Sequence, residues 1–72
     1  MRPEGQWDEF RQSQRELIAD AVIRAASQAP GVPIDVTLVA STAGMSRKTF
    51  YKYFDSLGDA VLFTQTAVLR LL

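Results

Sequence analysis

Seventy-two residues, eight basic and eight acidic side chains, no net charge, and neither cysteine nor histidine confine this chain to one small domain held by apolar burial alone. Disulfides, thiolate metal sites and thiol nucleophiles are excluded, and so are the commonest general base and zinc ligand. The carboxylates form no obvious pair, so the composition argues against an enzyme and calls for no cofactor.

A chain this short buries only about 60% of the surface its unfolded form exposes, so every core residue counts. No apolar run follows Arg2, as a secretory signal would require, and the apolar stretches are too short to span a bilayer. A soluble, cytoplasmic protein without a membrane partner is the expectation.

Residues 1–12 read as an N-terminal arm, with Pro3 and Gly5 near its start and Trp7 and Phe10 available to pack on the first or fourth helix. Ser13 and Glu16 have the spacing of a capping box, which predicts that the first helix starts there. Leu17, Ile18, Ala21, Val22 and Ala25 then recur at helical spacing. The segment Ala29-Pro30-Gly31-Val32-Pro33 must end it, because two prolines and a glycine cannot continue a helix.

Asp35 is an N-cap for a short second helix from Val36 to about Thr42. Gly44 follows, suited to the left-handed geometry just past a helix end. Ser46 caps a third helix over residues 47–54. Ser56 and Asp59 repeat the capping signal and open a fourth helix at Leu57. Ala60, Val61, Leu62, Phe63, Ala67, Val68, Leu69, Leu71 and Leu72 wrap nearly its whole circumference, and a helix apolar all round expects burial. Three preceding helices can cover one side only, so further chain or a partner is expected on the other. The fold class is therefore all-α: a three-helix bundle over residues 13–56, then residues 57–72 as the start of a connecting helix.

Residues 36–53 fit a helix-turn-helix for physical reasons. Two helices crossing closely need a small residue at the contact, here Ala40. The corner needs Gly44, and Val39, Ala43, Met45 and Phe50 supply apolar anchors. The charge distribution adds a direction. No acidic residue lies between Val36 and Phe54, while Arg47, Lys48 and Lys52 sit close together. At about 100° per residue, Phe50 and Phe54 turn one way, into a core. Lys48, Thr49 and Lys52 turn the other way, flanked by Tyr51 and Tyr53, with Tyr53 shared between that face and the surface of the first helix. Lysine, arginine and tyrosine bond phosphates, and threonine and tyrosine reach base edges. Such a helix suits the major groove, with the second helix lying across the backbone.

The stretch VTLVASTAGMSRKTFYKYFDSLGDAVL, residues 36–62, resembles the signature of the tetracycline-repressor (TetR) family, most distinctively in Ala43-Gly44-Met45-Ser46 and Thr49-Phe50-Tyr51-Lys52-Tyr53-Phe54. The resemblance extends back more weakly through the first helix, where Ile18 to Ala21 suits the family, and so covers about two-thirds of the chain. It implies a DNA-binding head in which Thr37, Arg47, Lys48, Thr49, Tyr51 and Tyr53 meet double-stranded operator DNA; position 52 is variable in the family, yet Lys52 suits a phosphate, and Ser46 at the start of the third helix is counted with the DNA-facing residues. Ala40, Gly44, Met45, Phe50 and Phe54 hold the motif. It further implies a repressor of transcription that works as a homodimer and releases DNA when a small-molecule inducer binds a C-terminal domain absent from this sequence. Three positions depart from the family pattern: Ala26 stands where a phenylalanine is usual, Pro30 where a glycine is, and Leu57 where a lysine often holds a phosphate. Arg2 and Arg11 are the nearest substitutes for that lysine. Two rival roles fit the same motif: a protein-interaction module working through the apolar fourth helix, and the recognition domain of a DNA-processing enzyme.

Overall fold

The computed structural model describes residues 4–28 and 30–71, with side chains from 9 to 28 and from 30 to 70. The described residues form four helices and no strand: α1 Glu4–Gln28, α2 Val36–Ala43, α3 Arg47–Tyr53 and α4 Leu57–Leu71. None is long and apolar enough to cross a membrane.

The expected start of the first helix at Ser13 is corrected. α1 is helical from Glu4, because nothing between Gln6 and Gln12 interrupts a helix and most of those residues favour one. Ser13 is an exposed interior position. Its supposed capping partner, Glu16, instead accepts a hydrogen bond from Gln12 Nε2 at 3.2 Å, one turn away on the same face. Residues 1–3, Arg2 among them, and the Trp7 side chain lie outside the described residues. Phe10 is half exposed. The other end of α1 falls where the Pro30–Pro33 segment requires, at Gln28.

α1 is the hub of the molecule. It packs most extensively on α2 and α4 and also meets α3. Ile18, Ala21 and Val22 from α1 join Val39 and Ala40 from α2, Phe50, Tyr53 and Phe54 from α3 and its end, and Ala60 from α4 in one buried cluster. Ala25 is buried as well, whereas Leu17, read from sequence as part of the same stripe, is exposed. Ala19 takes its place among the buried residues. At about 1.5 Å per residue, the 25 residues of α1 account for most of the molecule's longest dimension of 48 Å.

Each remaining helix starts on the cap that the sequence assigns it. Asp35 accepts from the Leu38 amide at 2.8 Å, Ser46 from Thr49 at 3.1 Å and Ser56 from Asp59 at 3.2 Å. These bonds satisfy amides that helix starts otherwise leave without partners. α2 ends at Gly44 with φ +76°. The Met45 amide reaches back to the Ala40 carbonyl at 2.9 Å and the Gly44 amide to Ser41 at 3.1 Å, the paired bonds of a Schellman ending. Met45 is thereby turned inward against the core.

α4 is covered on one side only. Ala60 and Thr64 are buried against the rest of the molecule, the Thr64 hydroxyl donating to the Ala60 carbonyl at 2.8 Å. Leu62 and Leu69 are 63% and 68% exposed, and Val68 lies between these two and the core side at 40%. The apolar excess seen in the sequence is thus a real exposed face.

Candidate nucleic-acid interface

α3 is short, and its orientation is set by three aromatic rings. Phe50 is fully buried, and Tyr53 and Phe54 are each 7% exposed. Phe50 and Phe54 stack tilted at 5.9 Å, and Phe54 in turn meets Phe63 of α4 at 5.5 Å. With these rings inside, Arg47, Lys48, Tyr51 and Lys52 are turned to solvent. Tyr51 is held as well as exposed: its ring sits edge-to-face on Phe50 at 5.3 Å and 88°. An exposed aromatic braced by a core ring presents its hydroxyl in a restricted direction, which lowers the ordering cost of a contact.

The expectation for Tyr53 is corrected. Its ring belongs to the core and not to an outer flank. Three residues past Phe50 is about 300° of rotation, so Tyr53 falls only about 60° from Phe50, with Phe54 about 40° to the other side. The three form the usual i, i+3, i+4 apolar stripe. That periodicity was the signal in the sequence, masked by the polar tip of tyrosine.

Thr49 is half-buried and engaged. Ser46 Oγ accepts from its amide and donates to its hydroxyl at 3.0 Å. Its hydroxyl proton is still free to donate outward, but its position is set by the cap. Ser46 itself is exposed, and so is Thr37 in the first turn of α2. Since Asp35 performs the capping of α2, the Thr37 hydroxyl is not needed there. Among the described residues it has no hydrogen-bond partner. Ala40 is 2% exposed in the core cluster, and Gly44 and Met45 lie between α2 and α3.

The electrostatics of this face are one-sided. Among the described residues the one ion pair joins Arg24 to Asp20 at 2.9 Å, on α1. Arg47, Lys48 and Lys52 are therefore not neutralised by a carboxylate there. Neither α2 nor α3 has an acid in its first turn, although an acid there would stabilise a helix. Arg47 and Lys48 instead add positive charge to the positive end of α3. That arrangement disfavours the isolated helix and favours an anion in front of it.

Beside this face lies a cluster of which sequence reasoning singled out only Arg11 and Lys52. Arg15 of α1 lays its guanidinium over the Phe54 ring, 5.6 Å from the centroid. Lys52 similarly approaches the Tyr53 ring at 5.9 Å. Arg11, Arg15 and Lys52 line one cleft together with Asp55 and Asp59. No local pattern signals this, because the three cations come from helices far apart in sequence.

Comparison of the chain with protein-family models, with curated proteins and with solved structures found no match.

Proposed function

We propose that the chain is a DNA-binding head of TetR type, in which α2, the Gly44 corner and α3 act as a helix-turn-helix that recognises a double-stranded operator. One observation carries this reading: the exposed side of α3 presents Arg47, Lys48, Tyr51 and Lys52 to solvent with no acidic residue among them. In the proposed complex α3 enters the major groove, and Tyr51 and Thr49 meet base edges. Arg47, Lys48 and Lys52 hold phosphates, with Ser46 and Thr37 donating to the backbone at the two helix starts. Tyr53 is assigned to the core. The regulatory setting follows from the resemblance in residues 36–62: a homodimer reading a palindromic operator, repression of transcription, and release by a small-molecule inducer bound to a separate domain.

The test is a duplex titration at several salt concentrations, followed by selection of preferred sites from a randomised duplex pool. Affinity should fall with salt along a log–log slope of about 0.9 per phosphate contacted, and selection should enrich one half-site. A chain that ignores duplex DNA even at low salt is not a DNA-binding head.

A second reading is favoured by α4. Leu62, Val68 and Leu69 form an apolar face, which suits a protein-interaction module that uses the bundle only as a scaffold. The titration separates the two, because a module of that kind shows no salt-dependent affinity for duplex.

A further inference from the structure

The proposed face ends at Lys52, but the cationic surface does not. Lys52 also lines a cleft of about 350 Å³ between the N-terminal half of α1 and the junction of α3 with α4. Arg11 and Arg15, one helical turn apart on α1, line the same cleft. Lys48 lies one turn before Lys52 on α3, so the four cations continue one another from the exposed face into the cleft.

Two carboxylates, Asp55 and Asp59, share the cleft, and the obvious alternative is that they neutralise these cations. They do not close on them: among the described residues none of the three makes an ion pair within 4.0 Å. Arg15 is the most informative. Its Nε is buried without any hydrogen-bond partner, although an arginine beside two acids has every opportunity to pair. Its guanidinium instead lies over the Phe54 ring, 5.6 Å from the centroid. A planar guanidinium offers an oxyanion a fork of donors that a single ammonium lacks.

We infer that Arg11, Arg15 and Lys52 form a second anchor for the DNA backbone, binding a phosphodiester beside the groove that α3 enters. This rests on the DNA-binding reading above and extends the footprint to α1. Asp55 and Asp59 then act against binding: each lowers the phosphate affinity of the cleft, and removing either charge strengthens the complex.

The experiment measures fluorescence anisotropy of a labelled mixed-sequence duplex against the 72-residue chain across a salt series. Variants are Arg11→Gln, Arg15→Met, Asp59→Asn and, as a reference on the α3 face, Lys48→Gln. Methionine preserves the apolar packing on Phe54 while removing the charge, and circular dichroism checks that each variant is folded. Arg11→Gln and Arg15→Met should each lower the salt slope by about 0.9, and Asp59→Asn should raise affinity, a gain that a purely structural role for the cleft does not produce. If Lys48→Gln lowers the slope while Arg11→Gln keeps the parental value and Asp59→Asn does not tighten binding, the cleft touches no phosphate and this inference is overturned with the DNA-binding reading intact. If the parent chain does not bind the duplex at all, the DNA-binding reading fails first. Should Arg15→Met unfold, Arg11→Gln and Asp59→Asn decide the matter.

Discussion

Phe50 and Tyr51 are adjacent aromatics whose removal should have opposite consequences, and the contrast tests the orientation of α3 directly. Phe50 has no exposed surface and touches the rings of both Tyr51 and Phe54. Its replacement by alanine loses the transfer energy of a buried ring and leaves a cavity, about 3–5 kcal/mol. At about 0.05–0.15 kcal/mol per residue, a chain of this length has only ~4–11 kcal/mol in total, so Phe50→Ala should leave the domain largely unfolded or close to it. Tyr51 is 46% exposed. Its alanine variant forfeits part of one edge-to-face contact, of order 0.5–1.5 kcal/mol, and should lower the melting temperature by only several degrees. In DNA binding the order reverses for the folded protein: Tyr51→Ala should cost ~1–3 kcal/mol of specific affinity, roughly 5- to 150-fold. Thermal melts followed by circular dichroism, and anisotropy on a selected operator, read the two quantities separately. Two results refute the reasoning: a Tyr51→Ala chain that melts as early as Phe50→Ala, or a folded Tyr51→Ala chain that binds the operator like the parent.

Four further outcomes follow. Gly44 sits at φ +76° with open space where a Cβ would project. Gly44→Ala should therefore cost only the left-handed backbone penalty of ~1–2 kcal/mol, partly offset by a stiffer unfolded chain, and Gly44→Asn should cost less in the same urea titration. Asp35→Ala removes the bond to the Leu38 amide and should destabilise by about 1 kcal/mol, again by urea denaturation. Lys52→Ala should weaken all duplex sequences alike and reduce the salt slope by about 0.9, measured by anisotropy, with sequence preference unchanged. Leu62→Gln combined with Leu69→Gln should stay within about 0.5 kcal/mol per site of the parent, because both side chains are already in water. A marked loss of stability would mean that the α4 face is covered by something in solution.

Much of the architecture was legible from local chemistry. Asp35, Ser46 and Ser56 cap the helices that follow them because a short side-chain oxygen is stabilising wherever a helix start exposes its amides, and that depends on few neighbours. Gly44 ends α2 because its missing Cβ makes left-handed backbone inexpensive. The prolines at 30 and 33 stop α1 for equally local reasons. The inward turn of Phe50 and Phe54 follows from helical rotation alone, and with it the outward turn of Lys48, Tyr51 and Lys52. The partial cover of α4 was also readable, since its apolar residues exceed what three short helices can bury.

Other features needed the packed molecule. Ser13 and Glu16 have capping-box spacing, but a spacing cannot tell a helix start from a helix interior when the preceding residues are also helix formers. Tyr53 combines a core-sized ring with a polar tip, so its place is settled by whether α1 offers a surface at that angle, and it does. Leu17 is exposed where its spacing predicted burial, while Ala19 is buried, because the flank of α1 that is covered depends on what packs against it and not on hydrophobicity alone. The cleft shared by Arg11, Arg15 and Lys52 lies furthest from sequence. Nearly forty positions along the chain separate its two sides, and only the docking of α1 beside the end of α3 brings three like charges to one place. Rotation about a helix axis is written in the residues themselves; which helices then lie side by side is a property of the whole core.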